Sequence, residues 1–186
     1  FLASLGENVI LKTYSDFLEQ AVALESAAVA YNDSLSGDDL LALQDAWRST
    51  MAVWQQAELM QVGPAGIMGS VPGGADYRDA IYSWPLVNRC RNDQELVEGN
   101  YSDVNTFATE AVNVRGLDTL EYLLFYAGDE NACPSPNNIN KEGTWDALSG
   151  ELTQRRADYA YTVAVLIKQD AEKLRDAWDP ESGNYV

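Results

Sequence analysis

Three acidic residues fall where helical periodicity calls for apolar side chains. From residue 107 onward Phe107, Ala111, Val114, Asp118, Glu121 and Phe125 share one helical register, with Leu117, Leu120 and Leu124 beside the two acids. Glu58 comes one turn after Trp54, at the end of the stripe Leu40, Leu43, Trp47, Met51, Trp54. An ionised carboxylate facing a bundle interior is costly unless it is paired or coordinates a metal. Asp118 and Glu121 stand three residues apart on one helix, so they point the same way and can share a cation. A donor set made only of oxygens suits hard cations such as Fe(III), Ca²⁺ or Mg²⁺ better than zinc. A second reading stays open. An α-helix turns every ~3.6 residues and drifts against a seven-residue pattern, so the acids can lie at the stripe's edge in water. Arg115 would then pair with Asp118 or Glu121 at the surface, where such a pair contributes little.

The absence of histidine narrows the chemistry further: the 186-residue chain contains none. That removes the commonest general base and zinc ligand, along with any Ser-His-Asp or Cys-His arrangement. No catalytic residues are assigned on this basis. Twelve basic residues against 29 acidic ones leave a net charge of −17. Such a surface repels nucleic acid and anionic lipid and attracts cations and basic partners. Cys90 and Cys133 are too far apart for a Cys-x-x-Cys redox motif, and two thiols without histidine make a poor metal site. Both lie in segments that read as loops, which favours a disulfide and an oxidising compartment over two free buried thiols. No run of apolar residues is long enough to span a membrane. The opening Phe1-Leu2-Ala3-Ser4 suits a processed N-terminus.

The elements that must hold these residues are helices. In the first, Ile10, Tyr14, Phe17, Ala21, Leu24, Ala28 and Tyr31 recur at spacings of four and three, ending near Asn32-Asp33-Ser34. A second starts after the cap pattern Ser36-Gly37-Asp38-Asp39 and stops before Gly63-Pro64. The stretch from Gly63 to Gly99 holds six of the 13 glycines and three of the six prolines, with short helical turns expected at 77–84 and 93–97. A third long helix is predicted over 102–126 and a fourth over 145–178, with Asp179-Pro180 ending it. Nothing alternates with the two-residue period of a strand. The predicted architecture is an all-α, up-and-down four-helix bundle forming one domain over residues 1–186, with a long loop-rich connection between helices two and three.

Three segments carry a family resemblance. Gly116-Leu117-Asp118-Thr119-Leu120-Glu121, continuing into Tyr122-Leu123-Leu124-Phe125, resembles the Gly-x-His-x-x-Glu motif of the imelysin family. Ala46-Trp47, Trp54 and Glu58 before Gly63-Pro64 resemble the family's second helix, and Tyr82-Ser83-Trp84-Pro85-Leu86 with Arg89 resembles its Tyr-x-Trp-Pro-Leu segment. The resemblance implies an exported, periplasmic or cell-envelope protein, with or without a lipid anchor, that is linked to bacterial iron uptake. It also implies that this chain corresponds to the first of two helical bundles, so an uptake component or a second bundle is the expected partner. Glu58, Asp118 and Glu121 become candidate ligands for iron or another hard cation, with Trp84 and Arg89 as secondary binding candidates. Some members are metallopeptidases, but Asp118 stands where the motif has histidine, so a catalytic role does not transfer. A divergent peptidase and a non-catalytic interaction module are the alternatives to a binding protein.

Overall fold

In a computed structural model, residues 2–183 are described; Phe1, part of the start read above as processed, lies outside them. Helix α1 spans Lys12–Ser34 and is entered through a single α-turn, Leu2–Leu5, and a π-helical stretch, Gly6–Leu11. It contains no glycine or proline, and the expected face of Tyr14, Phe17, Ala21, Leu24, Ala28 and Tyr31 is buried throughout. The chain reverses at Leu35, whose φ of 52° ends the helix and lets its N–H reach Tyr31 O. Ser36 then caps α2, Gly37–Ala57, by accepting from Asp39 N, while the Asp39 carboxylate accepts from the hydroxyls of Ser34 and Ser36. Short helices follow at α3, Tyr77–Ile81, and α4, Arg89–Glu98. Helix α5 covers Leu117–Phe125, and α6, Leu152–Trp178, closes the fold.

Helices α1, α2, α5 and α6 form a closed ring: α1 packs on α2 and on α6, and α5 bridges α6 to α2. Phe17 and Trp54 meet inside it with ring centroids 4.9 Å apart. Each fully buried Leu or Phe contributes roughly 1.5–3 kcal/mol. The core takes such residues from all four walls: Phe17 and Leu24, Leu43, Leu117 and Leu120, and Ile167. Among the described residues there is no strand, and no helix is long and apolar enough to cross a membrane. The expected all-helical bundle is therefore present.

Its third helix departs from the sequence pattern. Instead of one rod over 102–126, the chain makes 3₁₀ turns at Asn100–Ser102 and Val112–Val114, a single α-turn at Val104–Phe107, and then the nine-residue α5. The apolar spacing holds because Phe107 and Val114 still reach the core. The backbone breaks because Arg115 is extended and Gly116 adopts φ 90°, which a helix cannot accommodate. Helix α6 likewise starts at Leu152 and not at 145, after Gly150 at φ 92°. The turn expected at 93–97 is a ten-residue helix, with Cys90 inside its first turn and not in a loop. Cys90 is disulfide-bonded to Cys133 across a Cα–Cα distance of 4.4 Å.

Candidate functional site

Gly116 is the hinge on which the site is built. A β-carbon there would sit 2.8 Å from Ile81 O, so only glycine lets the start of α5 press against the end of α3. That approach brings the residues just after α3 onto the first turn of α5. The Ser83 hydroxyl donates to Asp118 Oδ2 at 2.6 Å, and Thr119 N donates to Asp118 Oδ1 at 3.0 Å. Asp118 is 4% exposed. Burial pushes its carboxyl above the usual range, and the Ser83 hydroxyl and backbone donors pull it part of the way back.

Of the two acids predicted on the seam, Asp118 faces inward and Glu121 is exposed. The leucines decide this: Leu117, Leu120 and Leu124 point the helix at the core, and Glu121 is carried round to the edge. Arg115 does not pair with either acid and donates to Ala108 O at 2.7 Å. Glu58 terminates α2, half-buried, with one carboxylate oxygen enclosed and without a hydrogen-bond partner. The charges of all three acids act on a fourth group. The Tyr82 phenol is pushed above its usual range first by burial, then by the negative charges of Glu121, Asp118 and Glu58. Among the described residues, no three His, Cys, Asp or Glu side chains are grouped closely enough to hold a metal.

Asp118 and Glu121 open onto a cleft of about 310 Å³ that also takes in Trp84, Val87, Arg89, Tyr122, Phe125 and Tyr126. The secondary candidates Trp84 and Arg89 thus join the motif acids from separate segments. Tyr122 and Tyr126 stack at 5.3 Å and 18°. Each aromatic ring at this end of α5 carries a guanidinium: Arg89 lies 5.6 Å from the Tyr122 centroid, Arg156 5.6 Å from that of Tyr126, just past the helix, and Arg48 4.9 Å from that of Phe125. Trp47 underlies this wall, donating from its indole to Leu117 O at 2.8 Å and meeting the Phe125 ring at 5.2 Å. A larger recess of about 480 Å³ near Asp129, Trp145 and Asp146 contains none of these groups, and both of its acids are exposed.

Sequence reasoning did not single out Ser83, Tyr122, Tyr126 or Asp93. The aromatic spacing at 122, 125 and 126 is a signal for one face, and Ser83 lies within the Tyr82-Ser83-Trp84-Pro85-Leu86 segment. Asp93 had no local signal. It is fully buried on α4, where it accepts from the Tyr122 hydroxyl at 3.1 and 3.2 Å and from Ala132 N at 2.7 Å. Burial raises its pKa to about 6 against those hydrogen bonds and the charge of Arg156.

The fold and site define a helical-bundle protein with a carboxylate- and aromatic-lined cleft. Residues 10–186 match the imelysin family, and the chain belongs to it. Two solved structures share the fold. An iron-regulated protein A precursor from Parabacteroides distasonis is 23% identical, with a TM-score of 0.69 over 95% of this chain and 43% of its own. An imelysin-like protein from Psychrobacter arcticum is 20% identical, with a TM-score of 0.70 over 95% and 48%. The chain spans less than half the length of either. Among curated proteins none matches.

Proposed function

We propose that this chain is an exported, periplasmic or cell-envelope binding module of the imelysin family with an iron-related role, and that the cleft at the start of α5 is its ligand site. The observation that carries the reading is the convergence of the two motif segments: Ser83 holds buried Asp118, and Trp84, Arg89 and Glu121 share the cleft beside it. The iron-regulated relative and the Cys90–Cys133 disulfide, which belongs in an oxidising compartment, support role and location. Asp118 and Glu121 are the residues that would meet iron or another hard cation. Their oxygen chemistry fits such an ion, but two cleft carboxylates form an open site rather than a closed cage, so solvent or a chelator must complete it. Glu58, with its unpartnered oxygen, is the third candidate. The module is read as one bundle of a longer architecture, with a second bundle or an uptake component as partner. A zinc peptidase is disfavoured because the chain supplies no histidine and the motif position carries Asp118.

The test is calorimetric titration of chelator-stripped protein with Fe(II), Fe(III)-citrate, Ca²⁺ and Zn²⁺, alongside Asp118→Asn, Glu121→Gln. Saturable binding of an iron species that the double variant loses supports the reading. Equal binding by both proteins moves the metal elsewhere. No binding by either leaves an interaction module whose acids are a polar network without ligand.

A further inference from the structure

The same cleft carries two opposite charges that do not use one another. Arg89, the first residue of α4, makes no ion pair or hydrogen bond among the described residues and rests only on the Tyr122 ring. Glu121, on α5, is exposed and likewise makes neither. Both line the cleft, yet their charged atoms are not within the 4.0 Å of an ion pair. Eight of the chain's other basic side chains are ion-paired. Among the described residues Arg115 and Arg156 also lack a carboxylate, but each donates to a backbone carbonyl, of Ala108 and Gly128, so in a chain of net charge −17 Arg89 stands out as an arginine with neither.

The aromatic faces differ in the same way. Tyr122, Phe125 and Tyr126 each lie under a guanidinium, whereas Trp84 is 58% exposed and engages no other ring or cation among the described residues. A planar apolar group entering the cleft therefore has one free surface to stack on. At about 310 Å³ the space sits at the lower end of small-molecule pockets and suits a single amino acid more than a folded partner. The negative field of the whole chain disfavours a purely anionic ligand and is neutral toward one whose charges balance.

We propose that the cleft binds a small zwitterion with an aromatic body, an aromatic α-amino acid. Its carboxylate pairs with Arg89, its ammonium with Glu121, and its ring stacks on Trp84. The inference rests on the cleft being the binding site, as above, but not on a metal.

Three probes separate the contacts: L-phenylalanine, 3-phenylpropionate, which lacks the ammonium, and 2-phenylethylamine, which lacks the carboxylate. Each is titrated calorimetrically into chelator-treated protein at pH 7, with variant folding checked by circular dichroism. L-phenylalanine should bind at least roughly tenfold more tightly than either truncated probe, the expectation for losing a hydrogen bond to a charged group. Arg89→Gln should weaken phenylalanine and phenylpropionate but not phenylethylamine, and Glu121→Gln should weaken phenylalanine and phenylethylamine but not phenylpropionate. Trp84→Ala should weaken all three. Absence of phenylalanine binding at millimolar concentration, or Arg89→Gln and Glu121→Gln variants that each affect all three probes alike, overturns the inference. Iron binding retained in that case leaves the metal reading standing, and phenylalanine binding without iron binding has the reverse meaning.

Discussion

Asp93 and Asp118 are both buried aspartates whose carboxyls burial pushes upward, and each is anchored by a hydroxyl and a backbone N–H. Their surroundings separate them. Asp93 is enclosed: its oxygens meet Tyr122 and Ala132, it lies one turn from the disulfide, and it is fully buried. Asp118 carries the same kind of anchor at one edge and lines a cleft at the other. Burial alone thus does not distinguish a structural carboxylate from a candidate binding one; access does. The two regions are also linked, because the Tyr122 ring that lines the cleft hangs by its hydroxyl from Asp93.

The largest effect should come from opening the enclosed region. Replacing Cys90 and Cys133 by serine releases a cross-link over 43 residues and should lower unfolding free energy by about 4 kcal/mol, measured by urea denaturation. A loss under about 1 kcal/mol would show that the hydrogen bonds of Asp93 hold the 131–133 segment without it.

Next is the hinge of the open region. Gly116→Ala puts a β-carbon against Ile81 O at a φ of 90° and should cost about 1–3 kcal/mol. It should also weaken cleft ligands by displacing Asp118 from Ser83. Unchanged thermal stability would mean that the α3–α5 approach is not tight.

Asp93 should then give a pH signature. Its folded pKa of about 6 lies above the roughly 3.9 of an unfolded aspartate, so the native state holds its proton more tightly. This contribution is fully present below about pH 3.9 and is lost as pH rises through about 6. Compared with Asp93→Asn, the wild type should gain on the order of 3 kcal/mol as pH falls across that window. Parallel stability-versus-pH curves for the two proteins would contradict the assignment.

The smallest stability effect is expected at Asp118. Asp118→Asn keeps a group that can accept from Ser83 and removes a buried charge, so stability should change by less than about 1 kcal/mol while cleft binding is lost. A large stability loss would place Asp118 with Asp93 as a structural residue.

The comparison also marks what was readable in the chain. Helices α1 and α2 and most of α6 could be read from their apolar stripes, because a long amphipathic helix repeats its signal every turn. The stripe through Phe107 and Val114 was read correctly as core and wrongly as a continuous rod, since core-facing spacing survives breaks in the backbone. Asp118 and Glu121 were visible as acids in an apolar register, but which of them faced inward depended on how Leu117, Leu120 and Leu124 seated α5.

By itself the sequence determined the helical class, the absence of histidine chemistry, the acidic surface and the segments that carry the family's motif. These are properties of composition and short-range periodicity, and they need no partner from elsewhere in the chain. Only the tertiary structure decided that Ser83 would meet Asp118 across 35 residues and that Tyr122 would reach Asp93 across 29. It likewise left Arg89 and Glu121 facing one cleft with no ion pair among the described residues. Such contacts are set by the close approach at Gly116 and by the disulfide-tied α4, and neither leaves a local trace from which the pairing could be read.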